Sequence, residues 1–139
     1  YTLPFEVFAA EWIDADALKA RLDSYNLHGV AFRTIHFKPF SGSLQGKLIH
    51  GVQFHYTDYE AACCTLTQFY VMQAVNELYP DRNPFALSKG RNNMFDKVCG
   101  TDYVRTAFGK RLKVEDIADY WSKDVEAFRK LSKKYWIYN

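Results

Sequence analysis

Polar and apolar positions alternate along three stretches in the first part of the chain. Pro4-Phe5-Glu6-Val7-Phe8 alternates and predicts a short strand. Val30 to Phe37 predicts a second, with Val30 and Phe32 on one face. Ile35 and Phe37 have the other parity, so a bulge is expected near Thr34. Lys47 to Tyr56 alternates most clearly. Leu48, His50, Val52, Phe54 and Tyr56 share one face, and Ile49, Gly51, Gln53 and His55 share the other.

Helical spacing takes over between and after these stretches. Asp14 is placed to cap a helix in which Leu18 and Leu22 lie one turn apart, and Asn26 to Gly29 supplies its stop. Thr57-x-x-Glu60 has the form of a capping box and predicts a long helix to about Tyr79, with Cys63, Leu66, Tyr70, Ala74 and Leu78 in register. Pro80 to Asn93 is a turn-rich connection. Met94 to Cys99 predicts a short helical turn ended by Gly100, and Thr101 is placed to cap a second piece, Asp102 to Phe108, stopped by Gly109. A last helix is predicted from about Val114 to Leu131, with Ile117, Trp121, Val125 and Phe128 facing inward. Tyr135 to Tyr138 reads as a short terminal strand or a docked tail. The order β-α-β-β-α followed by helices predicts an α+β fold: a small mixed or antiparallel sheet covered by helices, with a helical C-terminal half. Residues 1–139 are expected to form a single domain, since 139 residues is an ordinary domain length.

Composition narrows the class. With 48% hydrophobic and 24% charged residues, disorder is excluded, and 17% aromatic residues favour a sizeable core. No apolar run approaches the ~20 residues needed to cross a bilayer, so no membrane span is expected. Eighteen Lys and Arg stand against sixteen Asp and Glu, a net charge of +2. That balance lacks the bias of a nucleic-acid binder, and no nucleic-acid partner is expected. The basic stretch Arg129 to Lys134 suits the C-terminal end of a helix.

Candidate chemistry is sparse. Cys63 and Cys64 are adjacent, which disulfide geometry disfavours, and fall in a helical pattern where cysteine commonly serves as a small buried residue. With Cys99 the number is odd, and no Cys-x-x-Cys pair supports a zinc site. His50 and His55 point to opposite faces of their strand, so they are not expected to share a metal; no metal or other cofactor is expected. Gln53 and His55 share a face with Gly51, whose missing side chain is expected to leave space beside them. This makes a candidate polar floor for a ligand; the alternative is a solvated or helix-satisfied sheet face. Glycoside cleavage needs two carboxylates flanking the scissile bond. Glu6, Glu11, Asp14, Asp58, Glu60, Asp96 and Asp102 are available, but no pair stands out. No catalytic residue is assigned. Gly-x-Gly-x-x-Gly, P-loop and Gly-x-Ser-x-Gly patterns are absent.

Several segments in order carry a resemblance to a known family. They are Pro4-Phe5-Glu6-Val7 with Ala10-Glu11-Trp12-Ile13-Asp14, then Gly29-Val30 with Phe32, and Phe37 with Pro39. Gly46, Gly51-Val52-Gln53-Phe54-His55 and Thr57-Asp58 follow, and then Leu78-Tyr79-Pro80, Phe95-Asp96, Gly100-Thr101-Asp102 and the aromatic ending at Tyr138. Together they resemble the C-terminal domain of the NamZ-type exo-β-N-acetylmuramidases, over nearly the whole chain. Ser41-Gly42-Ser43-Leu44-Gln45 departs from the more aromatic and basic loop associated with that family. The resemblance implies a glycoside hydrolase that releases terminal N-acetylmuramic acid from peptidoglycan fragments. It also implies a larger Rossmann-like N-terminal domain in the same parent chain, a cleft between the two, and the main catalytic acid on that partner domain. Gln53 and His55 are then the expected hydrogen-bonding groups to sugar or lactyl oxygens, with His50 and Asp102 as further substrate-binding candidates. An extracytoplasmic location, periplasm or cell surface, goes with that chemistry. The alternative is a stand-alone peptidoglycan-binding or structural module without catalysis.

Overall fold

Asp14 has an extended backbone, and its Oδ1 accepts from the N–H groups of Asp16 and Ala17, both at 3.0 Å. This satisfies two free donors at the start of the first helix, α1 (Ala15–Asp23), where the sequence places it. The structure, a computed structural model, describes residues 5–88 and 90–138. Backbone contacts divide the chain into two compact units, one running to Leu87 and the other starting at Ser88.

The first unit holds the sheet. Its strands are β1 (Val7–Ala10), β2 (Val30–Phe37) and β3 (Ile49–Tyr56). The order is β1-β3-β2 and both pairings are antiparallel. β1 begins later than the alternation suggests. Residues 1–4 lie outside the described residues, and Phe5, at φ 62°, interrupts the extended path before Val7. Asn26 and Gly29, at φ 50° and 69°, turn the chain from α1 into β2.

The expected bulge at Thr34 is absent. Val30↔Tyr56 through Phe37↔Ile49 pair without a break. Ile35 and Phe37 simply lie on the second face of the sheet, which is itself apolar at that end: Ile49, opposite Phe37, is 4% exposed. The change of parity marks the point where apolar residues pass to the second face, while His36 on the first face is exposed.

On the first face, Phe32 and Val52 pack against Leu18 and Leu22 of α1 and against Val71, Ala74 and Val75 of the second helix, α2 (Cys64–Leu78). Phe8, Val30 and Phe54 flank this cluster. Burial of each such side chain is worth about 1.5–3 kcal/mol.

The capping box does not form. Thr57 and Asp58 donate their N–H groups to the carbonyl of Gly29, at 2.8 and 3.4 Å, which ties this segment to the start of β2. Asp58 Oδ1 accepts from the N–H groups of Glu60 and Ala61 and closes a local turn. α2 therefore starts only at Cys64. Cys63 and Cys64 are exposed rather than buried. The inner stripe of α2 runs through Thr67, Val71, Ala74 and Val75, one turn apart.

A 3₁₀ turn (Pro80–Arg82) and a short helix, α3 (Pro84–Leu87), close the first unit. The second is helical: α4 (Asn92–Cys99), α5 (Tyr103–Phe108), α6 (Glu115–Ser122) and α7 (Val125–Ser132). Gly100, at φ 72°, ends α4 in the left-handed conformation that favours glycine. Thr101 Oγ1 accepts from the Tyr103 N–H at 3.1 Å, as its position suggests. Val104, Phe108, Leu112, Val114 and Ile117 are buried. Asp96 and Arg105 form a two-pronged ion pair, at 2.7 and 2.9 Å, between α4 and α5.

The predicted last helix is two helices, broken at Lys123 and Asp124, where Asp124 takes φ −111°, ψ 2°. The break changes which residues face inward. Val125 and Phe128 are 46% and 68% exposed. The terminal aromatic stretch is neither strand nor docked tail. A 3₁₀ turn covers Lys133–Tyr135, and Ile137 and Tyr138 are almost fully exposed. With 48% of the described residues helical and 15% in strands, the fold is α+β. Among the described residues, no helix is long and apolar enough to cross a membrane.

Candidate functional site

The polar groups that stand out lie on the sheet face turned away from α1 and α2. Arg33 on β2 and Gln53 on β3 are cross-strand partners there, and Val7 of β1 sits opposite Gln53 on its other side. Gln53 is 2% exposed. A buried amide is costly unless its hydrogen bonds are made, and these are. Oε1 accepts from Arg33 Nε at 2.6 Å, and Nε2 donates to Glu6 Oε2 at 3.1 Å. The amide thus turns its oxygen to a cation and its nitrogen to a carboxylate. Arg33 and His55 are exposed, as is Ala31, the cross-strand partner of His55. The β2 side of this face is therefore open to solvent.

Gly51 does not leave the space expected beside these residues. A Cβ there would lie 2.0 Å from the Phe8 carbonyl oxygen and 2.6 Å from Ala9 Cα. The backbone of β1 fills the room, and the glycine serves close strand approach instead of a ligand hollow.

Gln53 and His55 share this face, as alternation requires. His50 is on the other face. There it meets His36, its cross-strand partner, with the two Nδ1 atoms 2.7 Å apart and the rings edge to face at 5.0 Å. One ring must donate and the other accept, so the two imidazoles hold different roles. Sequence spacing does not suggest this pair, because it depends on the β2–β3 register. Their shared parity is the only signal, visible once the two strands are paired. Asp102 is exposed in the second unit, at the start of α5. It adds a Coulombic contribution to Arg105, whose guanidinium is held above its ordinary value chiefly by the hydrogen bond to Asp96.

Most carboxylates have local structural partners. Asp14 caps α1, Asp58 closes its turn, and Glu11 pairs with Lys47 at 2.9 Å. The Arg105 hydrogen bond holds the Asp96 carboxyl below the usual carboxylate range, and Arg111 does the same for Asp116. Burial, then the nearby Asp96 charge, pushes the Cys99 thiol up, so it is protonated at neutral pH and poorly suited to act as a nucleophile. Among the described residues, no three His, Cys, Asp or Glu side chains converge to hold a metal. A groove of about 690 Å³ in the second unit has Trp121, Val125, Phe128 and Trp136 in its lining, together with Lys123 and Asp124. It is mostly apolar, and its Lys123 and Asp124 side chains pair with each other at 3.8 Å.

An antiparallel three-stranded sheet with helices on one face and an ordered polar cluster on the other defines an α+β domain. The family model for the C-terminal region of the exo-β-N-acetylmuramidase NamZ matches residues 1–138, and the chain belongs to that family. The peptidoglycan β-N-acetylmuramidase NamZ of Bacillus subtilis (strain 168) is 37% identical over 137 residues, 99% of this chain and 32% of that protein. The crystal structure of a DUF1343 family protein from Bacteroides fragilis NCTC 9343 superposes with a TM-score of 0.95 at 46% identity, covering 100% of this chain and 36% of that one. The chain thus spans about a third of the length of these relatives.

Proposed function

We propose that this chain is the substrate-wall domain of a two-domain peptidoglycan glycosidase that releases terminal N-acetylmuramic acid, acting in the periplasm or at the cell surface. A Rossmann-like N-terminal domain supplies the opposite wall and the catalytic acid. The observation that carries this is the open polar edge formed by Arg33 and His55 over the buried Gln53, whose amide is hydrogen-bonded at both its oxygen and its nitrogen. Relatives about three times as long, one of them a peptidoglycan β-N-acetylmuramidase, support the division into two domains.

The division of labour follows from the carboxylates. Cleavage of a glycosidic bond takes a proton donor and a base or nucleophile set several ångströms apart across the bond. In this chain most of the acidic side chains described above cap helices, close turns or pair with cations, and Glu6 is taken up by the Gln53 amide. The chain's task is then to hold the sugar while groups on the partner domain carry out the proton transfers. Orientation of this kind raises the effective concentration of the reacting groups without a chemical step of its own.

The test is a chromogenic β-glycoside of N-acetylmuramic acid. The full-length protein is expected to hydrolyse it, and the 139-residue chain alone is not. His55→Ala in the full-length protein is expected to raise KM while the fold survives. Turnover by the 139-residue chain alone would refute the assignment, and unchanged KM would remove His55 from the site.

A further inference from the structure

We infer that Arg33 is the residue that recognises the carboxylate of the substrate, held in place for that task by Gln53. This rests on the proposed muramidase function and names the group on the sugar that the sheet face reads.

The geometry is specific to one edge of the guanidinium. Nε is committed to Gln53 Oε1 at 2.6 Å, and Gln53 is itself locked by its bond to Glu6 and by burial. Rotation of the Arg33 head would break a hydrogen bond that a buried amide cannot recover from water. Yet Arg33 is exposed, and its two Nη groups have no partner among the described residues. The side chain therefore presents an outward pair of N–H donors at a fixed angle. That is the arrangement that grips a carboxylate through two parallel hydrogen bonds, and a lysine cannot reproduce it.

Gln53 itself offers a ligand almost no surface. Its role is to aim Arg33, and the contact with ligand passes outward to the cation. Among the described residues, Glu6 is the anion held in this cluster, on the far side of the Gln53 amide. A bound carboxylate in contact with Arg33 is closer to the positive charge than to Glu6, so attraction prevails. His55 is the diagonal cross-strand neighbour of Arg33, roughly 7–8 Å away along the sheet. That separation suits a carboxylate at one end of a sugar ring and a hydroxyl or acetamido group at the other. N-acetylmuramic acid differs from N-acetylglucosamine by a lactyl ether, and that ether carries the carboxylate. Arg33 would thus make the distinction between them.

The experiment uses the full-length protein and two chromogenic glycosides, N-acetylmuramic acid and its lactyl methyl ester, with the same leaving group. Wild type should favour the acid. Arg33→Ala should raise KM for the acid by about 10- to 100-fold, leave kcat nearly unchanged and leave the ester unaffected, as expected for loss of a charge-assisted binding contact. Arg33→Lys should recover part of the preference. Gln53→Leu should shift KM for the acid in the same direction by a smaller factor. Arg33→Ala takes the donor from the buried Gln53 carbonyl, so its urea midpoint should fall modestly below wild type, and unchanged kinetics on the ester guard against a folding artefact. If Arg33→Ala keeps the wild-type ratio of acid to ester, the inference is overturned and the muramidase assignment stands. If wild type turns over neither glycoside, the muramidase assignment fails and takes the inference with it.

Discussion

Replacing Gly51 with alanine tests the packing of the sheet directly. The added Cβ would sit 2.0 Å from the Phe8 carbonyl oxygen and 2.6 Å from Ala9 Cα, where Cβ atoms essentially never come within 3.0 Å. Both obstacles are backbone, so no side chain can swing away. β1 must retreat by about 1 Å. Four residue pairs join β1 to β3, and Ala9↔Gly51 is among them. Two ladder hydrogen bonds stretched beyond use cost roughly 2 kcal/mol, and looser packing of Phe8 over Val52 adds about 1–2 kcal/mol. Against this, alanine in a strand recovers only about 0.5–1 kcal/mol of backbone entropy, so overlap wins. The net expectation is a loss of about 3 kcal/mol. With an m-value of about 2 kcal/mol/M, the urea midpoint should fall by about 1.5 M. Far-UV circular dichroism measures the midpoint, and amide hydrogen exchange should show the loss concentrated at β1. A Gly51→Ala midpoint within about 0.2 M of wild type would refute the close-approach argument.

Two further outcomes follow from the second unit and the thiols. The Asp96 carboxyl is depressed by Arg105, so the stability it contributes is present above its unfolded pKa, near 3.8, and is lost as pH falls through the lower folded value. Urea unfolding from pH 5 downward should therefore weaken wild type more steeply than Asp96→Asn, and parallel curves would count against the pair. At neutral pH a colorimetric thiol reagent should modify Cys63 and Cys64 quickly and Cys99 slowly, because the first two are exposed and Cys99 is partly buried with its thiol pushed up. Cys99→Ser should remove only the slow phase; loss of a fast phase instead would contradict the placement.

What could be seen in the sequence was local, and what could not was set by contacts across the chain. Asp14 and Gly100 mark helix ends because their own side chain or backbone does the work. The alternation of β3 sorts Gln53 and His55 onto one face because every second residue must go there. Thr57 misled because its N–H was already bonded to Gly29, nearly thirty residues earlier, which no spacing rule shows. Gly51 misled for the same reason: a missing side chain signals either an empty space or a close neighbour, and only the path of β1 decides. His36 and His50 met only after the register of β2 and β3 was fixed. In the site, Gln53 was visible as a polar residue on a strand, but its partners came from elsewhere, Arg33 from β2 and Glu6 from the residue just before β1. The order of short family segments was the more informative signal for function, since it reflects the whole fold at once.

The Glu6–Gln53–Arg33 chain of hydrogen bonds also acts on folding. One amide in the central strand fastens both outer segments, so it works as a clasp across the sheet. Were β2 to slip by one residue, Arg33 would swing to the helix side and leave a sequestered carbonyl without a donor. A misaligned sheet would thus carry a penalty that the correct alignment avoids, and the small three-stranded assembly gains a single admissible alignment from one glutamine.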